Sequence, residues 1–172
     1  MYNKWTKDLS DSVRALESIR YDYLPRVISG KIHNIEAVDN DILIKLDQMS
    51  GIDYIRENDI GLQGIAARVQ WGHNWDTFTI RSSRHTGTET ELSKRKKAIA
   101  EGYFYPAFTL QAYFTNRLEN RLLSLGVVKT LDLYEFIIAY PGLVEERESD
   151  NKFLVVKWSD LWPSVKVINN TA

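Results

Sequence analysis

This sequence predicts a mixed α/β fold, a central mixed β-sheet flanked by helices. Three observations point to it. Runs with two-residue alternation, such as PAFTLQAYF at 106–114, read as half-buried strands. Runs with three- and four-residue apolar spacing read as amphipathic helices. The two kinds are interleaved, as the packing of helices onto a sheet requires. The 172 residues contain no linker, low-complexity tract or internal repeat, so residues 1–172 read as a single domain.

Along the chain, Leu9, Val13, Leu16, Ile19, Tyr23 and Val27 place one apolar stripe on a helix over 9–28. Pro25 disturbs its last turns and Gly30 closes it. IHNIEAV (32–38) is a short helix or the lead-in to a strand. ILIKL (42–46), GIDYI (51–55), GIAARVQW (64–71) and DTFTIRSS (76–83) read as strands. HTGTETELSKRKKAIAEG (85–102) has helix grammar: Thr88 and Glu91 in a capping-box pattern, lysines late, and Gly102 at the end. After the 106–114 strand, RLENRLLSL (117–125) reads as a short helix or loop and VVKT (127–130) as a small strand. LDLYEFIIAY (131–140) is a helix capped by Thr130 and stopped by Pro141-Gly142. EERESDN (145–151) is a charged turn, and FLVVKW (153–158) a late strand followed by the tail SDLWPSVKVI.

Composition narrows the function classes. Apolar residues make up 44% of the chain and charged residues 26%, a globular balance. No apolar run approaches the roughly 20 residues of a membrane helix, and MYNKWTKDLSDS has no apolar signal core. The chain has no cysteine, which excludes disulfides, thiolate zinc sites and cysteine nucleophiles and fits a cytoplasmic protein. His33, His73 and His85 have no metal-ligand spacing. A calcium loop, a Gly-Lys-Ser/Thr phosphate loop and a Gly-x-Ser-x-Gly elbow are all missing from the sequence. The net charge of −1 is unevenly spread. Residues 81–97 carry six Lys/Arg (Arg81, Arg84, Lys94, Arg95, Lys96, Lys97) against two Glu, leaving −5 on the remainder. A basic segment on an acidic body is the footprint of a localised phosphate contact, or else a solvated helix face.

The charged residue in GIDYI, Asp53, raises the question of a site. On GIAARVQW, alternation turns Ile65, Ala67, Val69 and Trp71 to one face and Ala66, Arg68 and Gln70 to the other. A carboxylate on one strand, with a cation and an amide on the next, is a way for a sheet to hold Mg²⁺ against a phosphate. The residues alone also allow Asp53 to cap a turn or pair with Arg68. The aromatics Trp71, Trp75, Tyr103, Tyr105 and Tyr113 serve either as core or as base-stacking surfaces.

From Glu36 to Arg81, under a third of the chain, the order of these pieces resembles the PD-(D/E)xK nuclease superfamily. The resemblance lies in a Glu on an early segment (Glu36, or Glu17), then GID, then a strand bearing a basic residue two positions after an acid or amide. It implies a restriction-endonuclease-like fold and a DNA-acting nuclease or hydrolase using Mg²⁺ or Mn²⁺. Asp53 and Glu36 would be metal ligands, and Asp53, Arg68 and Gln70 the catalytic set. Ala66 departs from the pattern, because it stands where the family has its second acid; Glu36, Asp47 or Gln70 would have to replace it. Two rival readings stand beside this one. One is an inactive DNA-binding member using residues 81–97. The other is a protein-interaction module, of the phage or mobile-element inhibitor type, using the aromatic 103–114 segment.

Overall fold

The computed structural model describes residues 4–35, 45, 48–148 and 151–170. Helix α1 (Lys4–Ser18) runs into a π-helical turn at Ile19–Tyr23 and a short helix α2 (Leu24–Val27). Pro25 explains this junction. It has no N–H to donate, and its ring crowds the preceding turn; the chain widens there, with the Leu24 N–H reaching back to the Ile19 carbonyl.

Among the described residues nine strands follow: β1 (Lys31–Asn34), β2 (Tyr54–Asn58), β3 (Gly61–Trp71), β4 (Thr77–Arg81), β5 (Pro106–Phe114), β6 (Leu122–Lys129), β7 (Glu145–Glu148), β8 (Lys152–Lys157) and β9 (Lys166–Asn169). Helix α3 (Glu91–Glu101) precedes β5, and α4 (Thr130–Ala139) follows β6. Six strands form one mixed sheet in the order β1-β2-β3-β5-β6-β9, and β4-β8-β7 form a second sheet. Only β3 and β5 pair in parallel among these neighbours. Parallel neighbours need a crossover, and here it carries β4 and α3. The expected mixed α/β architecture is therefore present.

Alternation assigns the two faces of the large sheet. Ile65, Leu110, Ala112, Phe114, Leu125 and Val127 pack against Ala15, Ile19 and Leu24 of the N-terminal helices. Tyr113 and Val128 face the other way, into a core with Phe78, Ile80, Leu133, Tyr134, Val156 and Trp158. Strand β5 is thus buried on both sides. Much of its polar face is paired internally: Tyr113 Oη meets Thr77, Gln111 Oε1 accepts from Thr79, and Thr109 Oγ1 meets Thr130 Oγ1 at 2.9 Å, while Gln111 Nε2 has no partner among the described residues.

Several elements depart from the sequence expectation. Lys45 is helical, so ILIKL is not a continuous strand, and the rest of that run apart from Lys45 lies outside the described residues. The ladder of β2 begins at Tyr54, not at Gly51. Helix α3 starts later, with Thr90 rather than Thr88 as its cap; the Thr90 hydroxyl accepts from the Ser93 N–H at 3.3 Å. Residues 122–125 are strand, and Thr130 bonds Thr109 instead of capping α4. The charged turn at 145–151 contains an edge strand, β7, whose residues are all exposed.

Candidate functional site

Asp53 sits at the N-terminal edge of β2. Its N–H bonds the Ile65 carbonyl at 2.9 Å and its own carbonyl accepts from Ile35 N–H at 3.3 Å. Its carboxylate turns to β3, where Oδ2 accepts the Ala67 N–H at 2.6 Å. The carboxylate thus satisfies a β3 donor beyond the point where the β2 ladder ends.

Beside Asp53 lies a polar cleft of about 190 Å³, lined by Gly51, Asp53, Ala67, Arg68, Arg81, Arg84, Glu91, Lys94 and Arg95. The cations come from β3 and from successive pieces of the crossover that joins it to β5. Arg68 projects from β3, Arg81 ends β4, Arg84 follows it, and Lys94 and Arg95 lie on the first turns of α3. Four cations of the basic stretch, with Asp53 and Arg68, separate in sequence, thereby line one cleft.

Glu91 organises the cleft. Its Oε2 is 3.2 Å from Arg68 Nη2, and its Oε1 is 2.7 Å from Arg95 Nη2. Burial alone would raise its pKa. Arg95, Arg68 and Arg81, with a hydrogen bond from the Arg81 backbone, more than offset this, and the carboxyl is held below its ordinary value. Burial likewise pulls the Arg95 guanidinium down, but Glu91, Tyr134 and Asp53 reverse the direction. The Tyr134 hydroxyl, desolvated beside this pair, is pushed up to about 12. Arg81 is lowered, first by burial and then by repulsion from Arg68 and Arg84. The Phe153 ring on β8 supports two of these groups: the Arg68 and Arg81 guanidinium carbons lie 5.1 and 5.4 Å from its centroid.

The lining does not suit the divalent metal that the resemblance implies. Two carboxylates line it against five cations, and both oxygens of Glu91 are engaged by guanidinium groups. A divalent cation wants oxygen ligands with net negative charge. The described residues do not supply that, and among them no three His, Asp or Glu side chains gather into a ligand set. Four buried guanidinium nitrogens, Nε of Arg81, Arg84 and Arg95 and Nη1 of Arg95, have no hydrogen-bond partner among the described residues. Donors without acceptors and positive charge in excess suit an anion.

The remaining candidates fall elsewhere. Gln70 is half-buried outside the cleft lining, its Oε1 without a partner among the described residues. Lys96 and Lys97 are exposed on α3, also outside the lining. Glu36 and Asp47 lie outside the described residues. Glu17, the other early glutamate, accepts from Asn34 Nδ2 at 2.6 Å and pairs with Arg20. Tyr113 is wholly buried and cannot stack a base, whereas Trp75 and Tyr103 are exposed. The 103–114 segment is exposed only at Tyr103 and Phe104 among its aromatics, and β5 itself is core. Sequence reasoning missed Glu91 and Phe153 as parts of the site. Glu91 reads as a helix-capping residue and Phe153 as an ordinary strand residue, so neither carries a local signal.

Comparison with family models, curated proteins and solved structures returns no match to this chain. Among the described residues, no helix is long and apolar enough to cross a membrane.

Proposed function

We propose that the protein binds nucleic acid by seating a phosphate group in the cleft beside Asp53, and that it does so without metal-dependent cleavage. One observation carries the reading: Arg68, Arg81, Arg84, Lys94 and Arg95 converge from successive elements on one small cleft, held apart only by Asp53 and Glu91. Arginine forks match phosphate geometry, and such contacts supply most of the affinity for a nucleic-acid backbone.

The order of elements supports a restriction-endonuclease-like ancestry for this sheet. A helix, three antiparallel strands, a crossover helix and a strand parallel to the third place Asp53 at the start of β2 and Arg68 on β3. In this reading a cleft of nuclease type has become a phosphate seat: alanine stands at position 66, and Glu91 is neutralised by two arginines. DNA is the proposed partner, with Lys96 and Lys97 at the outer margin of the contact.

Fluorescence anisotropy with labelled duplex, single-stranded and branched DNA at low salt tests this. Lys94→Gln and Arg84→Gln are expected to weaken binding to every sequence alike, while Lys31→Gln on β1 leaves it unchanged. Failure of all three DNA forms to bind would sink the proposal. Mg²⁺- or Mn²⁺-dependent cleavage that is lost in Asp53→Asn would restore the catalytic reading.

A further inference from the structure

Resting on that phosphate-binding reading, we propose that the cleft takes a terminal phosphomonoester, the phosphorylated end of a nucleic-acid strand or the phosphate of a nucleotide, in preference to an internal phosphodiester. Charge is the first argument. The five cations and two carboxylates lining the cleft leave a formal excess of three positive charges. A phosphodiester brings a single negative charge. A phosphomonoester carries about −1.5 to −2 at pH 7, and so neutralises more of the excess within the same small volume.

Hydrogen bonding is the second argument. Arg81, Arg84 and Arg95 each hold a buried Nε–H with no partner among the described residues. Buried donors are paired in nearly all folded proteins, and an unpaired one is costly. A terminal phosphate presents three strong acceptor oxygens, whereas an internal phosphodiester offers two non-bridging ones. With Arg95 Nη1 the three lining residues hold four such donors, more than the two non-bridging oxygens of a phosphodiester take up singly.

Size and placement agree. At about 190 Å³ the cleft suits one phosphate group, and among the described residues no aromatic side chain lines it to stack a base. Selectivity would therefore rest on the phosphate itself. Arg81 is central, because it stands among Arg68, Arg84 and Glu91 and rests on Phe153. That crowding of like charge is relieved when an anion enters.

The experiment compares one internally labelled oligonucleotide sequence with a 5′-phosphate, a 3′-phosphate, or hydroxyls at both ends. Affinities are measured at fixed ionic strength, with inorganic phosphate and a nucleoside monophosphate as unlabelled competitors. A phosphorylated end is expected to bind about tenfold or more tighter than the hydroxyl form, about 1.4 kcal/mol and comparable to one charge-assisted hydrogen bond. The preference should shrink in Arg84→Gln. If that variant does not fold, Lys94→Gln provides the same comparison from α3. Stronger competition by the nucleotide than by the phosphorylated strand would identify a nucleotide as the source, and the reverse would identify a strand end; both support the phosphomonoester. Equal, salt-sensitive binding of phosphorylated and hydroxyl strands would overturn this inference and leave the phosphodiester reading standing. No strand binding and no phosphate effect would overturn both.

Discussion

Replacing Glu91 by Gln separates stability from ligand binding in opposite directions. The carboxylate lies between Arg68 and Arg95, and Arg95 is almost fully buried, with 4% of its side chain exposed. The amide keeps the shape but leaves Arg95 with only Asp53 as a nearby negative charge. Removing one member of a buried pair costs about 3–5 kcal/mol. Partial exposure of Glu91 and Arg68, at 19% and 22%, favours the lower end. For a chain of this size about 3 kcal/mol corresponds to a fall in Tm of roughly 6–12 °C. The lost negative charge also raises the positive excess in the cleft, so millimolar phosphate should recover more Tm in Glu91→Gln than in wild type. Acid titration gives a second readout. Because the folded pKa of Glu91 is depressed, its stabilisation is fully present above the unfolded value of about 4.3. It is lost as pH falls through the depressed folded value. The stability difference between wild type and variant should therefore be full at pH 7 and shrink below about pH 4. Thermal unfolding with and without phosphate, across pH, provides both measurements. A variant with unchanged Tm at pH 7 and no greater phosphate response would refute the role assigned to Glu91.

Asp53→Ala should lower stability by about 1–3 kcal/mol in urea unfolding, since it strands the Ala67 N–H. Asp53→Asn, which keeps an acceptor, should lose less; equal losses would show that charge rather than the acceptor matters there. A cleft that seats a single phosphate, with one further contact from Lys96 or Lys97, should lose on the order of tenfold in DNA affinity between 50 and 200 mM salt. A thousandfold loss would mean that many more phosphates are contacted. Gly126→Ala should destabilise by about 1–3 kcal/mol or more, because its Cβ would lie under 3 Å from three atoms of the buried Trp158 ring; a Tm within error of wild type would show that the ring moves freely.

Legibility in the sequence followed local pattern. β3, β4 and β5 stood out because each alternates and is bounded by glycine, proline or polar turns. β6 reads as a helix or loop plus a small strand, since Ser124 and Gly126 interrupt its apolar run; the close approach of Trp158 explains that glycine. β7 was hidden because an edge strand with all of its residues exposed has no apolar period to reveal it. Arg68 and the basic run were legible as separate features. Their union with Glu91 was not, because it depends on the crossover that folds α3 back beside the end of β3.

The position of Phe153 bears on the order in which the molecule is assembled. This ring, on a strand made after β3 and β4, lies against Arg68 and Arg81, which precede it in the chain. β8 also pairs with β4, and β9 pairs with β6. The arginines therefore emerge before the aromatic surface they rest on, and long-range pairings of this kind close slowly. A nascent chain would carry an exposed cationic run before the ring that supports Arg68 and Arg81 has been made. The support of both arginines would then be complete only once β8 has paired with β4.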